Sequence, residues 1–275
     1  MLDRIVEILD VFRSAGGPLT ASQIARRTGI PMASTHRLVG EMVRTGILGK
    51  DEERRLSIGM RLWEATARSS AVQALRESAL PHMQRLMEKI HAPTLLCVLD
   101  GNEVINVETL TPRGIAAANV TKPGIRLPAL ASSPGVAMLA FADQQACSDV
   151  LTTANLTGFT PHTPTDPAAI RKLLDDTRRM GYVVARGWMW RDSTGIAVPV
   201  LGSDALAVAS LSVTVPIDFA QPTEVAAMLQ ASARAISWTG RTREEPVNSD
   251  LAELKYQLKR ATERQKIPAK REERW

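Results

Sequence analysis

The strongest constraint on this chain is the order of helix signals, stops and turns in residues 1–58. Leu2, Ile5, Ile8, Leu9 and Phe12 recur at three- and four-residue spacing, the stripe of an amphipathic helix, and Ala15-Gly16-Gly17-Pro18 ends it. Thr20-Ala21-Ser22-Gln23 is a capping box, a hydroxyl at the N-cap with an amide three residues on. It opens a short helix, ASQIARRT, with Ile24 and Ala25 inward and Gly29 as C-cap. Pro31 suits the first turn of a third helix, MASTHRLVGEMVRT, with Leu38, Met42 and Val43 on its inner face; Gly46 closes it. Two short apolar runs, Ile47-Leu48 and Leu56-Ser57-Ile58, flank the charged turn Asp51-Glu52-Glu53 and read as a hairpin.

Three helices and a hairpin in that order predict a winged helix-turn-helix, whose third helix enters the major groove of double-stranded DNA. Ser34, Thr35, His36 and Arg37 sit on its early turns. Hydroxyls and a guanidinium read base edges or hold phosphate. Thr20 and Gln23 at the second helix, Arg44 and Lys50 beyond the third, and Arg54 and Arg55 at the hairpin tip complete the candidate DNA-binding set. His36 has two readings, a phosphate contact or a solvent-exposed ring. The alternative for the whole module is a small protein-interaction domain with solvated arginines.

Charge supports the DNA reading. Residues 1–70 hold 11 Lys/Arg against 8 Asp/Glu, residues 71–240 hold 13 against 14, and residues 241–275 hold 10 against 7. Basic charge thus lies at both ends around a neutral middle, the pattern of a polyanion-binding module joined to a neutral domain. Cys97 and Cys147 are the only cysteines, too few for a disulfide framework or a thiolate zinc site. No run of about 18 apolar residues suggests a membrane span, and the charged N-terminus lacks a signal peptide's apolar core. The expectation is a cytoplasmic protein without membrane association.

From Gly59 to His91 the pattern is helical, and Pro81 is expected to split it into two helices meeting near Ala79–Pro81. Thr94–Leu99 and Glu103–Thr109 read as strands around an Asp100-Gly101-Asn102 turn. Residues 110–131 read as loop with one short strand. Helices are expected from Ser132/Ser133-Pro134 to Phe141, after Asp143, from Asp166-Pro167 to Met180, and over Pro222–Trp238. Tyr182–Arg186, Gly195–Val200 and Ala205–Val215 read as strands. The fold class is α+β, with a loop-lined concavity suited to a small molecule. The expected domains are 1–59 (winged helix), 60–79 (linker helix), 80–240 (effector-binding domain) and 241–275. That last segment is a charged extension in which Leu251, Leu254, Leu258 and Ala261 suggest a helix.

The chain resembles transcriptional regulators of the isocitrate-lyase-regulator (IclR) family from about residue 2 to 238. The resemblance rests on GIPMASTHRLVGEMVRTGIL, TLLCVLDGNEVINVE, GIRLPALASSPGVAMLAF and MGYVVARGWMWRDSTGIAVPVLGSDALAVASLSV. It implies a GAF-like effector-binding domain, homodimers or homotetramers, and repression or activation tuned by small organic acids or aromatic metabolites. It also implies that Ala116, Asn119, Ser133, Pro134, Ala185, Arg186, Gly195, Ser212 and Thr214 match effector-pocket positions. In the recognition helix Met32-Ala33 stand where a polar or basic pair is usual, which shifts expected base readout to Ser34 and Thr35; at positions that line the family's effector pocket, Val136 replaces a frequent Lys, Ala185 an Asp and Gly195 a Cys.

Trp188 and Trp190 have two readings, the wall of an aromatic ligand's pocket or the cover of a dimer interface. Arg186 either forks onto a ligand carboxylate or pairs with Asp192 at the surface; the first makes a small carboxylic acid the expected effector. The four histidines show no metal spacing, and no nucleophile elbow, P-loop or dinucleotide fingerprint is present. The expectation is a ligand-responsive regulator, not an enzyme, without cofactor or metal. The competing reading is an architectural or partner-recruiting DNA-binding protein whose C-terminal domain only oligomerises.

Overall fold

A computed structural model describes residues 1–69, 71–114 and 121–236. The expected extension helix and the candidates Ala116 and Asn119 lie outside them. Helices α1 (Leu2–Ser14), α2 (Ala21–Thr28) and α3 (Met32–Arg44) precede a hairpin of β1 (Leu48–Lys50) and β2 (Leu56–Ile58). The capping box at α2 forms in both directions: Gln23 N–H donates to Thr20 Oγ1, and Thr20 N–H donates to Gln23 Oε1. Gly29 ends α2 at φ 71°, a left-handed turn that glycine takes without strain. Pro31 is the N-cap of α3 rather than a residue of its first turn. Ile8, Ile24, Leu38, Met42, Leu48 and Leu56 close the small core. Leu2, expected on the inner stripe of α1, is exposed.

Two further helices, α4 (Met60–Ser69) and α5 (Ala71–Ile90), lead into the larger domain. The expected break at Ala79–Pro81 is absent; Pro81 lies inside α5. Its missing N–H and ring clash cost about 3 kcal/mol in a helix interior. Leu75 and Ala79 before the proline and Met83 and Leu86 after it all face the core. Each large apolar side chain contributes about 1.5–3 kcal/mol on burial. Burial on both sides of Pro81 therefore outweighs its cost and keeps the helix continuous.

The remaining elements are β3 (Thr94–Asp100), β4 (Glu103–Leu110), β5 (Arg126–Pro128), α6 (Ser133–Leu139), α7 (Gln144–Thr153), α8 (Pro167–Met180), β6 (Val183–Arg186), β7 (Ser193–Leu201), β8 (Ala207–Pro216) and α9 (Pro222–Ala235). The strands form one sheet in the order β5-β4-β3-β8-β7-β6, with every adjacent pair antiparallel. Its two faces divide by strand alternation. Leu96, Ile196, Leu211 and Val213 pack with residues of α5 and α9 on one face. Leu95, Cys97, Val104 and Ala197 pack with residues of α6, α7 and α8 on the other. Asp143 and Asp166 cap α7 and α8 by accepting from Ala146 N and Ala169 N, and Gly181 ends α8 at φ 76°. The α+β class and the winged-helix order expected from sequence are those observed.

Candidate functional site

Two surfaces carry the candidate residues. The first is the outer face of α3. Met32, Ala33, His36, Arg37, Gly40 and Glu41 are exposed at three- and four-residue spacing, while Leu38, Val39 and Met42 are buried. Ser34 is half-buried beside this face. Thr35 is a correction: it is fully buried, and its hydroxyl donates to Ile30 O at 3.2 Å and Pro31 O at 3.3 Å. It pins the turn between α2 and α3 and has no route to a base edge. The exposed start of α3 therefore presents Met32 and Ala33, not Thr35.

The cations divide into free and paired. Among the described residues Arg37, Lys50 and Arg54 have no ion-pair partner, which leaves their charge for phosphate. Arg44 donates from Nη2 and Nε to Glu41 at 2.6 and 3.0 Å. Arg55 is held across the hairpin tip by Asp51 at 2.9 Å and Glu53 at 3.1 Å. Desolvation by itself would raise the Asp51 carboxyl; the N–H and guanidinium of Arg55 hold it below the usual carboxylate range. Arg54 sits at φ 63°, an unusual left-handed position for arginine that aims the wing turn. Thr20 and Gln23 are exposed, but the capping box already occupies polar atoms of both.

The second surface is a cavity of about 50 Å³ on the α6 face of the sheet. Strand register places its floor. Ala185 pairs with Gly195 and Gly195 with Thr214, one row across β6, β7 and β8. Ser212 pairs with Ala197 and Leu95 in the next row. The start of α6 adds Ser132, Ser133 and Pro134, and the β6–β7 loop adds Trp188, Met189 and Trp190. Ser133, Pro134, Ala185, Trp188, Gly195, Ser212 and Thr214 therefore converge on this one cavity. A β-carbon on Gly195 would fall 2.4 Å from Ser133 Oγ, so glycine is what lets that hydroxyl lie on the floor. Ser132 Oγ is buried without a hydrogen-bond partner among the described residues. An unsatisfied hydroxyl costs free energy that a ligand's polar atom would recover.

Arg186 is the second correction. Strand alternation turns Ala185 into the cavity and Arg186 away from it. Arg186 is exposed, and its Nη1 donates to Ile217 O at 3.4 Å. No charged side chain lines the cavity among the described residues. The Trp188 wall is buttressed from outside. Thr160 Oγ1 donates to Gly187 O at 2.5 Å and Thr163 Oγ1 to Trp188 O at 2.6 Å. His162 packs beside Gly187, and the Asp166 carboxylate caps α8 by accepting from Ala169 N–H. Residue-by-residue reading missed Leu95, Thr121, Leu127, Ala131, Ser132, Met189 and Ser193 as lining residues. The pairing of Leu95 with Ser212 is the signal that finds the first of them, and it exists only once the sheet order is known.

Residues 1–52 match the IclR helix-turn-helix domain and residues 68–238 the bacterial transcriptional regulator IclR C-terminal domain. The chain belongs to the IclR family of transcriptional regulators, with a DNA-binding helix-turn-helix domain and an effector-binding C-terminal domain. A crystal structure of an IclR homolog complexed with 4-hydroxybenzoate, from Microbacterium hydrocarbonoxydans, is 38% identical with a TM-score of 0.79, covering 86% of this chain and 96% of that one. The regulator XynR of Escherichia coli K12 is 25% identical over 240 residues, 86% of this chain and 95% of that protein. The repressor AllR of the same strain is 27% identical over 218 residues, 78% and 79% of the two chains.

Proposed function

We propose that this protein is a cytoplasmic transcriptional repressor, acting by binding rather than catalysis, whose grip on double-stranded operator DNA is tuned by a small aromatic carboxylic acid. The observation that carries the ligand class is the cavity floor of Gly195, Ala185 and Thr214 under Trp188, with Ser132 Oγ unsatisfied beside it. A tryptophan wall and small-residue floor suit a flat ring. With no charged lining side chain among the described residues, a carboxylate or phenol is held by lining hydroxyls, among them Ser132, Ser133, Ser212 and Thr214. The 4-hydroxybenzoate in the Microbacterium homolog has that chemistry. The repressor role is supported by the similarity to AllR. On the DNA side, Arg37, Lys50 and Arg54 supply unpaired positive charge, with Ser34 and His36 beside them.

The domain division follows the same reading: 1–59 binds DNA, 60–79 links, 80–240 binds effector, and 241–275 is an extension. A homodimer or homotetramer presenting paired winged helices matches a near-palindromic operator. The test is anisotropy with labelled promoter DNA upstream of the protein's own gene, titrated with 4-hydroxybenzoate. Saturable release or tightening at a fixed salt concentration supports the reading. Absence of any salt-sensitive DNA binding overturns the regulator assignment. Intact DNA binding that responds to no aromatic acid overturns the effector assignment alone.

A further inference from the structure

A buried polar chain runs from the cavity wall through the sheet to α5. It starts at Thr121, which lines the cavity. Asn106 on β4 is 1% exposed, and its Nδ2 donates to Thr121 O at 2.8 Å, Thr121 Oγ1 at 3.1 Å and Thr109 Oγ1 at 2.6 Å. Thr109 Oγ1 donates to Thr121 O at 2.7 Å. Its backbone N–H donates to Glu108 Oε1 at 2.9 Å. Glu108 Oε2 accepts from Arg76 of α5 at 2.6 Å.

The register shift between Leu96 and Cys97 makes this possible. Asn106 pairs with Cys97 and Glu108 with Leu96. Cys97 belongs to the α6-side core and Leu96 to the α5-side core. Without the irregularity, Asn106 and Glu108, two apart on one strand, would share a face. With it, one side chain holds the cavity wall and the other reaches through to a helix two elements after the winged helix.

The chain is not fully satisfied. Asn106 Nδ2 has two protons for three acceptors, and its buried Oδ1 has no partner among the described residues. A buried polar network with an orphan acceptor is poised between arrangements, because small wall displacements change which bonds form. Helix α5 turns Leu75, Ala79 and Met83 into the core, and Arg76 is its charged tie to the sheet.

On the effector reading above, we propose that Asn106 and Glu108 are positioning residues that transmit occupancy of the cavity to α5 through Arg76. The coupling belongs to a physical chain of hydrogen bonds that both ends bias, and it is reciprocal. A change at Arg76 therefore alters the cavity wall even without ligand.

The test uses the full-length protein and the variants Arg76→Met, Glu108→Gln and Arg179→Gln, the last removing an exposed pair with Asp176. Circular dichroism checks folding, and Arg76→Lys, which keeps the charge and loses the fork, replaces any variant that unfolds. Ligand-free amide exchange is read first. Peptides covering 104–110 and 121–128 are expected to exchange about five-fold faster in Arg76→Met and Glu108→Gln, and unchanged in Arg179→Gln. Unchanged exchange across 121–128 in both network variants overturns the proposal. The second readout is the shift in DNA affinity caused by 4-hydroxybenzoate. It is expected to shrink by about three-fold or more in the network variants, with direct 4-hydroxybenzoate affinity within about three-fold of wild type. A full shift in both variants overturns the proposal. A wild-type protein that does not respond to 4-hydroxybenzoate refutes the effector chemistry instead, and the exchange result still decides the network.

Discussion

Replacing Thr35 by Val and Arg37 by Ala separates two residues that are neighbours on α3 but belong to different physics. Thr35→Val keeps the shape and deletes a hydroxyl that donates to Ile30 O and Pro31 O. Pro31 O stays bonded to Thr35 N at 2.9 Å; Ile30 O is left without the hydroxyl that reached it. Losing one buried hydrogen bond and stranding one acceptor costs about 1–3 kcal/mol. At roughly 2–4 °C per kcal/mol for a chain of this size, the melting temperature is expected to fall by about 2–12 °C. DNA affinity per folded molecule should not change, because Thr35 is fully buried. Arg37→Ala is the mirror image. Its exposed guanidinium has no ion pair among the described residues, so stability should stay within about 0.5 kcal/mol. Loss of one phosphate contact lowers the salt slope of DNA binding by about 0.9 per site; loss of a base contact costs about 1–3 kcal/mol of affinity. Scanning calorimetry and anisotropy across a salt series read both quantities. A Thr35→Val protein that melts normally but binds DNA weakly would refute the assignment of Thr35 to the fold. An Arg37→Ala protein with unchanged affinity and salt slope would refute that of Arg37 to the DNA face.

Three further outcomes follow from the cavity and its core. Gly195→Val crowds Ser133 Oγ and pushes that hydroxyl off the cavity floor, so calorimetric titration with 4-hydroxybenzoate should show affinity reduced about ten-fold or more; Arg186→Ala, outside the cavity, should bind as wild type does. Gly135→Ala puts a β-carbon 2.2 Å from Ala129 O and 2.4 Å from Ala129 Cα, both backbone atoms, so overpacking of about 1–3 kcal/mol or more should lower the urea midpoint. Burial pushes the Cys97 thiol from 9.0 up to about 12, so the folded chain keeps a proton that the unfolded chain releases. Its stability contribution is full below pH 9.0 and is lost as pH rises toward 12, at about 1.4 kcal/mol per pH unit. Urea titrations at about pH 8 and about pH 10 should therefore show a steeper loss in wild type than in Cys97→Ala.

Local signals were enough where chain neighbours decide the outcome. Thr20 and Gln23 meet because a capping box closes within one turn, and Gly29 and Gly181 end helices because only a left-handed residue fits there. The apolar stripe of α3 fixes its inner face, since Leu38 and Met42 share one side of a helix. Thr35 was legible too, since it lies three, four and seven residues before the buried Leu38, Val39 and Met42 and so shares their inward face, and its hydroxyl reaches carbonyls only four and five residues back. The strands after Tyr182 alternate in a way that assigns Ala185 and Arg186 to opposite faces. Family resemblance added that this stretch builds a pocket. Tertiary structure decided the rest. Pro81 stays inside α5 because core contacts on both sides of it outweigh a local penalty. Which of Ala185 and Arg186 faces the ligand depends on the side of the sheet on which α6 packs. The face shared by Asn106 and Cys97 depends on a one-residue register shift against β3. Helix ends and periodicities are set by bonds between near neighbours and can be read along the chain. The cavity and its tie to α5 are set by long-range register and packing, which exist only once the chain has folded.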